Sequence, residues 1–200
     1  MASEITVVIP AHAARIKNGM LERALRSVYA QTLQPDAFSI AIDVDGEGAA
    51  KTRGRALAAV RTKYTAFLDS DDRLKEQHLR VLRDAMTEND AAFTFSWFEP
   101  VGMGDHVGHF GKHFDKRNPH HTTMTVLCRT DIAQEVGFPE PASGETYGNE
   151  DWFFILGFCE KAIERDLRMI HVPERTWEYH YHGRNTSGMA RNGDGPDRWK

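Results

Sequence analysis

Residues 67–72 are Phe67-Leu68-Asp69-Ser70-Asp71-Asp72, and the fold turns on what they are. The run from Tyr64 to Leu68 is short and apolar, and it ends in three carboxylates within four residues. A helical pattern then begins, with Leu74, Leu79, Leu82, Ala85 and Met86 on one face. Together these predict a buried strand that delivers acids to the carboxyl edge of a sheet, where open α/β sheets bind their ligands. Like charges this close repel one another, and only Arg73 and Lys75 are near enough in sequence to offset them. A hard divalent cation, Mg²⁺ or Mn²⁺, would offset them better, because carboxylate oxygens suit such ions. The same acids are also what a helix N-terminus favours, although one capping acid is enough. Metal binding and helix capping are both open here.

Working outward, Ile5-Thr6-Val7-Val8-Ile9 is a β-branched run stopped by Pro10, with Ala11-His12-Ala13 at its carboxyl end. From Met20, the residues Leu21, Ala24, Leu25, Val28 and Tyr29 fall at helical spacing, with Asn18 as N-cap and Pro35 as the stop. Phe38 to Val44 is a second strand, running into Asp43-Val44-Asp45-Gly46. Ala49 to Val60 is a second helix, and it carries Lys51, Arg53 and Arg55. Strand, helix, strand, helix, strand is the order of a parallel sheet with right-handed crossovers. It places Asp43, Asp45, Asp69 and Asp71 on the same sheet edge as Pro10-Ala11-His12.

Val7-Val8-Ile9-Pro10, Asp43-Val44-Asp45-Gly46 and Phe67-Leu68-Asp69-Ser70-Asp71-Asp72-Arg73-Leu74, in this order and spacing, resemble the donor-binding half of family 2 glycosyltransferases. The resemblance implies the GT-A fold, a Rossmann-like mixed, mostly parallel sheet flanked by helices that binds a nucleoside-diphosphate sugar. It also implies that Pro10, Ala11, His12, Asp43 and Asp45 line the nucleobase side, and that Arg53 or Arg55 approaches the pyrophosphate. A guanidinium fork suits phosphate oxygens, although arginines on a helix are also what a solvated face carries. Asp69 and Ser70 would meet the ribose, and Asp71, with Asp69 through water, would hold Mn²⁺ or Mg²⁺.

Ala91 to Phe98 is apolar and aromatic, as a buried strand is, and Thr123 to Arg129 is another strand. Thr130 or Asp131 then caps a short helix that Gly137 stops, and this segment, ending in Val-Gly-Phe-Pro, recurs in the same family. Between the strands, His106, His109, His113, His120 and His121 match no compact zinc spacing, and a loop over the acceptor side suits them better. Gly148-Asn149-Glu150-Asp151-Trp152 sets two carboxylates before an apolar helix, Phe153 to Ile163. The helix dipole alone favours such acids by about 0.3–1 kcal/mol each. The family carries a Glu-Asp pair at this place, which makes Asp151 the implied catalytic base and Glu150 its acceptor-orienting neighbour. In Trp177-Glu178-Tyr179-His180-Tyr181-His182-Gly183-Arg184-Asn185-Thr186-Ser187, alternation places Glu178, His180 and His182 on one face. The tail of that motif resembles the family's late histidine, so His182 is the further metal ligand implied, with His180 the alternative.

With 200 residues, the expectation is one domain: a donor half over 1–98, an acceptor and catalytic half over 99–182, and a flexible tail over 183–200. An apolar fraction of 40% supplies a core, and a net charge of −4 speaks against a protein that coats nucleic acid. Cys128 and Cys159 have no metal or redox spacing, and no basic-then-apolar leader or membrane-length run is present. A cytoplasmic enzyme with no membrane insertion is expected. Its expected reaction is inverting, metal-dependent transfer of a single sugar from a UDP-sugar to an acceptor that is a glycan, protein, lipid-linked molecule or modified nucleic acid. The rivals are a sugar nucleotidyltransferase, for which the glycine-rich phosphate loop is missing after the first strand, and a non-catalytic nucleotide-sugar or glycan-binding module.

Overall fold

A computed structural model describes residues 3–102, 114–119, 124–139 and 150–182. The five histidines His106, His109, His113, His120 and His121, the acceptor loop expected there, Thr123, Gly148-Asn149 and the tail from Gly183 lie outside these residues. In chain order the elements are β1 (Ile5–His12), α1 (Ala13–Lys17), α2 (Met20–Tyr29), β2 (Ala37–Asp43), α3 (Ala49–Ala58), β3 (Tyr64–Phe67) and β4 (Arg73–Leu74). They continue with α4 (His78–Glu88), β5 (Ala91–Val101), β6 (Val126–Arg129), α5 (Thr130–Val136), α6 (Glu150–Glu164) and β7 (Arg168–His180).

The strands form one mixed sheet in the order β2-β1-β3-β6-β5-β7-β4. β1 is parallel to β2 and β3, and β5 is parallel to β7, while β6 and β4 run antiparallel to their neighbours. The carboxyl ends of β1, β2, β3, β5 and β7 therefore share one edge. Strand alternation divides the core in two. Val8 and Phe67 face the side covered by α3, α5 and α6, whereas Ile5, Val7, Ile9, Ala66 and Leu68 face α2 and α4. Helix α6 drives Phe154, Ile155, Phe158, Cys159 and Ala162 into the first core, which seats its N-terminal turn over the sheet edge. Burying each large apolar side chain is worth about 1.5–3 kcal/mol, so this seating is firm.

Three departures from the sequence expectation bear on function. Pro10 does not end β1, which runs on to pair His12 with Asp43. Leu68 donates its N–H to the Val8 carbonyl at 3.0 Å, and Val8 is the last residue of β1 paired with β3. Two residues further on, the Pro10 nitrogen faces that same side past the end of β3, so its missing N–H breaks no ladder. Leu74 belongs to β4, where it pairs with Trp177 and its N–H donates to Ser27 Oγ at 3.1 Å. The next helix starts only at His78, with no acid in its first turn, so Asp69 to Asp72 cap no helix and form the β3–β4 turn instead. Only Leu68 to Asp72 connect β3 to β4 at the far margin of the sheet, and the sheet curls to let that margin approach β3.

The third departure concerns caps. Gly19, left-handed at φ 76°, is the N-cap of α2, and Asn18 Oδ1 accepts the Met20 N–H from one residue further out. The helix ends at Tyr29, before Pro35 is reached. Arg129 holds the N-cap position of α5, because Thr130 Oγ1 is engaged with Thr65 Oγ1 at 2.8 Å and Asp131 with Arg165. Gly137 does end α5, at φ 64°, donating its N–H to the Ala133 carbonyl at 2.9 Å. No helix among the described residues is long and apolar enough to cross a membrane.

Candidate active site

On α3, Ala50, Arg53, Ala56 and Leu57 share the core-facing stripe, so helical spacing turns an arginine inward. Arg53 is 6% exposed. Its Nη1 donates to Glu150 Oε1 at 2.9 Å and to Asp151 Oδ1 at 2.7 Å, and its Nη2 donates to Asp69 Oδ1 at 2.8 Å. One guanidinium thus joins the β3–β4 turn to the start of α6. The Arg53 Nε–H is buried with no acceptor among the described residues. Burial works against the Arg53 charge, but Asp151, Asp69 and Glu150 outweigh it and hold the group more firmly protonated than usual.

Glu150 and Asp151 are not ahead of the helix but are its first two residues, inside the positive end of the α6 dipole. The Asp151 side chain is recessed rather than sealed, with 28% of its surface exposed. Its carboxyl is raised from 3.8 to about 7, chiefly by burial and further by Glu150 and Asp69, with Arg53 pulling the other way. A carboxylate with one oxygen anchored and a pKa near neutrality is suited to accept a proton.

A second ionic centre forms on the other side of the same turn. His182, just past β7, places Nε2 at 2.8 Å from Asp71 Oδ2, and Arg15 of α1 places Nη2 at 2.9 Å from that same oxygen. Arg23 of α2 donates to the Asp71 backbone carbonyl. Burial pushes the Asp71 carboxyl up, but the His182 hydrogen bond and Arg15 prevail and hold it below its ordinary value. Asp72 is 2% exposed and accepts the His180 N–H at 3.0 Å. Burial first, then Asp71 and Asp69, push its carboxyl well above the ordinary range. The His180 ring turns instead to Glu178, at 3.1 Å.

For a divalent cation, Asp71 and His182 offer one oxygen and one nitrogen donor, a set that suits Mn²⁺ if diphosphate oxygens and water complete the shell. Asp69 Oδ1 accepts from Arg53 instead of facing Asp71 and His182, and no group of three His, Cys, Asp or Glu able to hold a metal is gathered among the described residues.

The remaining residues proposed from the sequence fall around these centres. Pro10 and Ala11 are buried at the end of β1, and His12 Nδ1 accepts the Ala14 N–H at 3.2 Å, starting α1. Asp43 is buried, with Oδ1 accepting the Glu47 N–H at 2.9 Å and Oδ2 the Gly48 N–H at 3.1 Å, so it shapes the β2–α3 loop. Asp45 is exposed in that loop. Arg55 donates to the Ile42 carbonyl and pairs with Glu47 at 2.7 Å, bracing the same loop outside both ionic centres. Ser70 is buried within the turn. Sequence reasoning passed over Arg15 and Arg23. The available signal was an arginine three residues beyond the end of β1, on the ligand edge of the sheet.

Fold and site together define an α/β protein whose two ionic centres lie at the carboxyl edge of the sheet, the edge at which open α/β sheets bind ligands. Residues 40–139, half of the chain, match the family described as glycosyl transferase family 2, and the chain belongs to that family. Arg53 and the acidic turn lie inside the matched stretch, while Asp151 and His182 lie beyond it. Over 54 residues the chain is 39% identical to TuaG of Bacillus subtilis (strain 168), a protein named as a teichuronic acid biosynthesis glycosyltransferase, covering 27% of this chain and 21% of TuaG. The crystal structure of S. aureus TarS 1-349 superposes with a TM-score of 0.70 at 16% identity, over 92% of this chain and 61% of that fragment. The same TarS fragment in complex with UDP-GlcNAc gives 0.72 at 17% identity, over 91% and 59%. The shared architecture is the GT-A fold, and this chain spans less than two thirds of each of these relatives.

Proposed function

We propose that this chain transfers one sugar from a UDP-sugar to an acceptor hydroxyl, with inversion at the anomeric carbon. The observation that carries the proposal is the Arg53 bridge, which sets Asp69, at the end of β3, and Asp151, at the start of α6, on one guanidinium. Membership of the family supports glycosyl transfer, and the fold shared with TarS, whose structure is known with UDP-GlcNAc, supports a nucleotide-sugar donor. Asp151, anchored through Oδ1, takes the proton of the acceptor hydroxyl while the acceptor oxygen bonds to the anomeric carbon. The bond from that carbon to the diphosphate breaks on the opposite face, and the nucleoside diphosphate leaves with the electron pair. Arg53 keeps Asp69 and Asp151 at fixed separation, and Glu150 orients the acceptor beside the base. Asp71 and His182 would hold Mn²⁺ or Mg²⁺, which when bound supplies Lewis-acid charge toward the diphosphate.

A panel of nucleotide sugars, each added with Mn²⁺ and followed by melting temperature and by product analysis, tests this. A UDP-sugar should raise the melting temperature, because it binds the native state only. Slow release of UDP and free sugar should accompany it. Release of pyrophosphate, or no shift from any nucleotide sugar, would contradict the proposal.

A further inference from the structure

The two arginines expected to meet the donor's pyrophosphate are both committed elsewhere. Both Arg53 Nη atoms are spent on three carboxylates, and Arg55 is bound to Glu47 and the Ile42 carbonyl. At the second centre the balance is reversed. Arg15 and Arg23 bring two positive charges to Asp71 from α1 and α2. The Arg15 side chain is 12% exposed, and one Asp71 oxygen is its single strong acceptor among the described residues, because its Nη1 reaches only the weakly accepting sulfur of Met20 there, at 3.3 Å. That oxygen is shared with His182 Nε2. The Arg23 Nε–H is buried with no acceptor among the described residues. A guanidinium carries five N–H donors in a fork that matches phosphate oxygens, so this pair offers more donors than Asp71 can accept. Their placement, just past the carboxyl end of β1, is where a diphosphate would arrive on this sheet.

We propose that Arg15, backed by Arg23, is the diphosphate-binding arginine of the donor site. It rests on Asp71 in the free protein and turns its fork to the phosphate oxygens when the donor binds. This rests on the nucleotide-sugar function proposed above. Calorimetric titration of the whole chain with UDP, with Mn²⁺ and again with a chelator, tests it in wild type, Arg15→Gln and Arg15→Lys. In whichever condition wild type binds UDP, Arg15→Gln should weaken that binding about 10- to 100-fold, the loss of charge-assisted hydrogen bonds. Arg15→Lys, which keeps the charge but not the fork, should fall between. The melting temperatures of both variants report whether they are folded. Equal UDP affinity in folded Arg15→Gln would overturn the assignment, as would a variant that binds Mn²⁺ more tightly while UDP affinity is unchanged, since Arg15 would then be only a counterion for Asp71. If wild type binds no UDP in either condition, the donor function itself fails and this assignment fails with it, an outcome distinct from the other two.

Discussion

The turn Asp69–Asp72 feeds two ionic centres of opposite balance. Toward α3 and α6, one buried arginine faces the carboxylates of Asp69, Glu150 and Asp151. Toward α1 and α2, Asp71 faces two arginines and a histidine. At the acid-rich centre, burial first and then the two neighbouring acids push the Asp151 carboxyl toward neutrality, against the pull of Arg53, so that it can accept a proton. Where cations outnumber the acid, a carboxyl is held ionised and the surplus charge is open to an anion. Residues two apart in the chain therefore serve opposite electrostatic purposes, and their partners from distant elements decide which.

The largest effect should come from removing the arginine of the acid-rich centre. Arg53→Met leaves three carboxylates uncompensated and should cost about 3–5 kcal/mol, the usual penalty for breaking a buried ion pair. Urea unfolding reads it, and a loss under 1 kcal/mol would show that the bridge is not formed in solution. Next in size is the pH dependence of transfer. With the Asp151 carboxyl raised to about 7, kcat/KM should rise as pH climbs to that value and fall about tenfold per unit below it. A flat profile between pH 5 and 8 would separate the base from this centre. The smallest effect is on the pH dependence of stability. Asp151 is raised above 3.8, so the native state keeps a proton that the unfolded chain has released, and this group's contribution to stability declines as pH rises from about 4 to about 7. Asp71 is lowered, so its contribution is full above the ordinary carboxylate range and is lost as pH falls. Asp151→Asn should remove the first slope, gaining a few degrees in melting temperature over wild type as pH rises to 7 and no more above it. Asp71→Asn should show the opposite trend, losing stability near neutrality and little in acid.

The first three strands were legible because they are short apolar runs punctuated by a proline or by acids, and period and punctuation survive in a single sequence. That is why β1, β2 and β3, and the sharing of one edge by their ends, could be read directly. Leu74 was misplaced because its spacings of eight from Leu82 and eleven from Ala85 fit a helix stripe, while its pairing with Trp177 is a contact between residues far apart in sequence. The cap of α5 was misplaced for a related reason, since Thr65 on β3 claims the Thr130 hydroxyl. Arg53 stood out as a phosphate ligand, but its three carboxylate partners come from β3 and α6, and nothing local announces them. Arg15 and Arg23 drew no reading at all, because the Asp71 turn that rests against them lies far along the chain.

The central claim is that the acid-rich centre handles the acceptor proton while the cation-rich centre handles the donor. Asp151→Asn tests it most directly, with donor affinity by calorimetry and turnover by product release measured on the same sample. The expected result is unchanged UDP-sugar affinity with transfer reduced about 10²- to 10⁴-fold, the usual worth of a general base. Near-normal turnover, or loss of donor binding together with turnover, would contradict it.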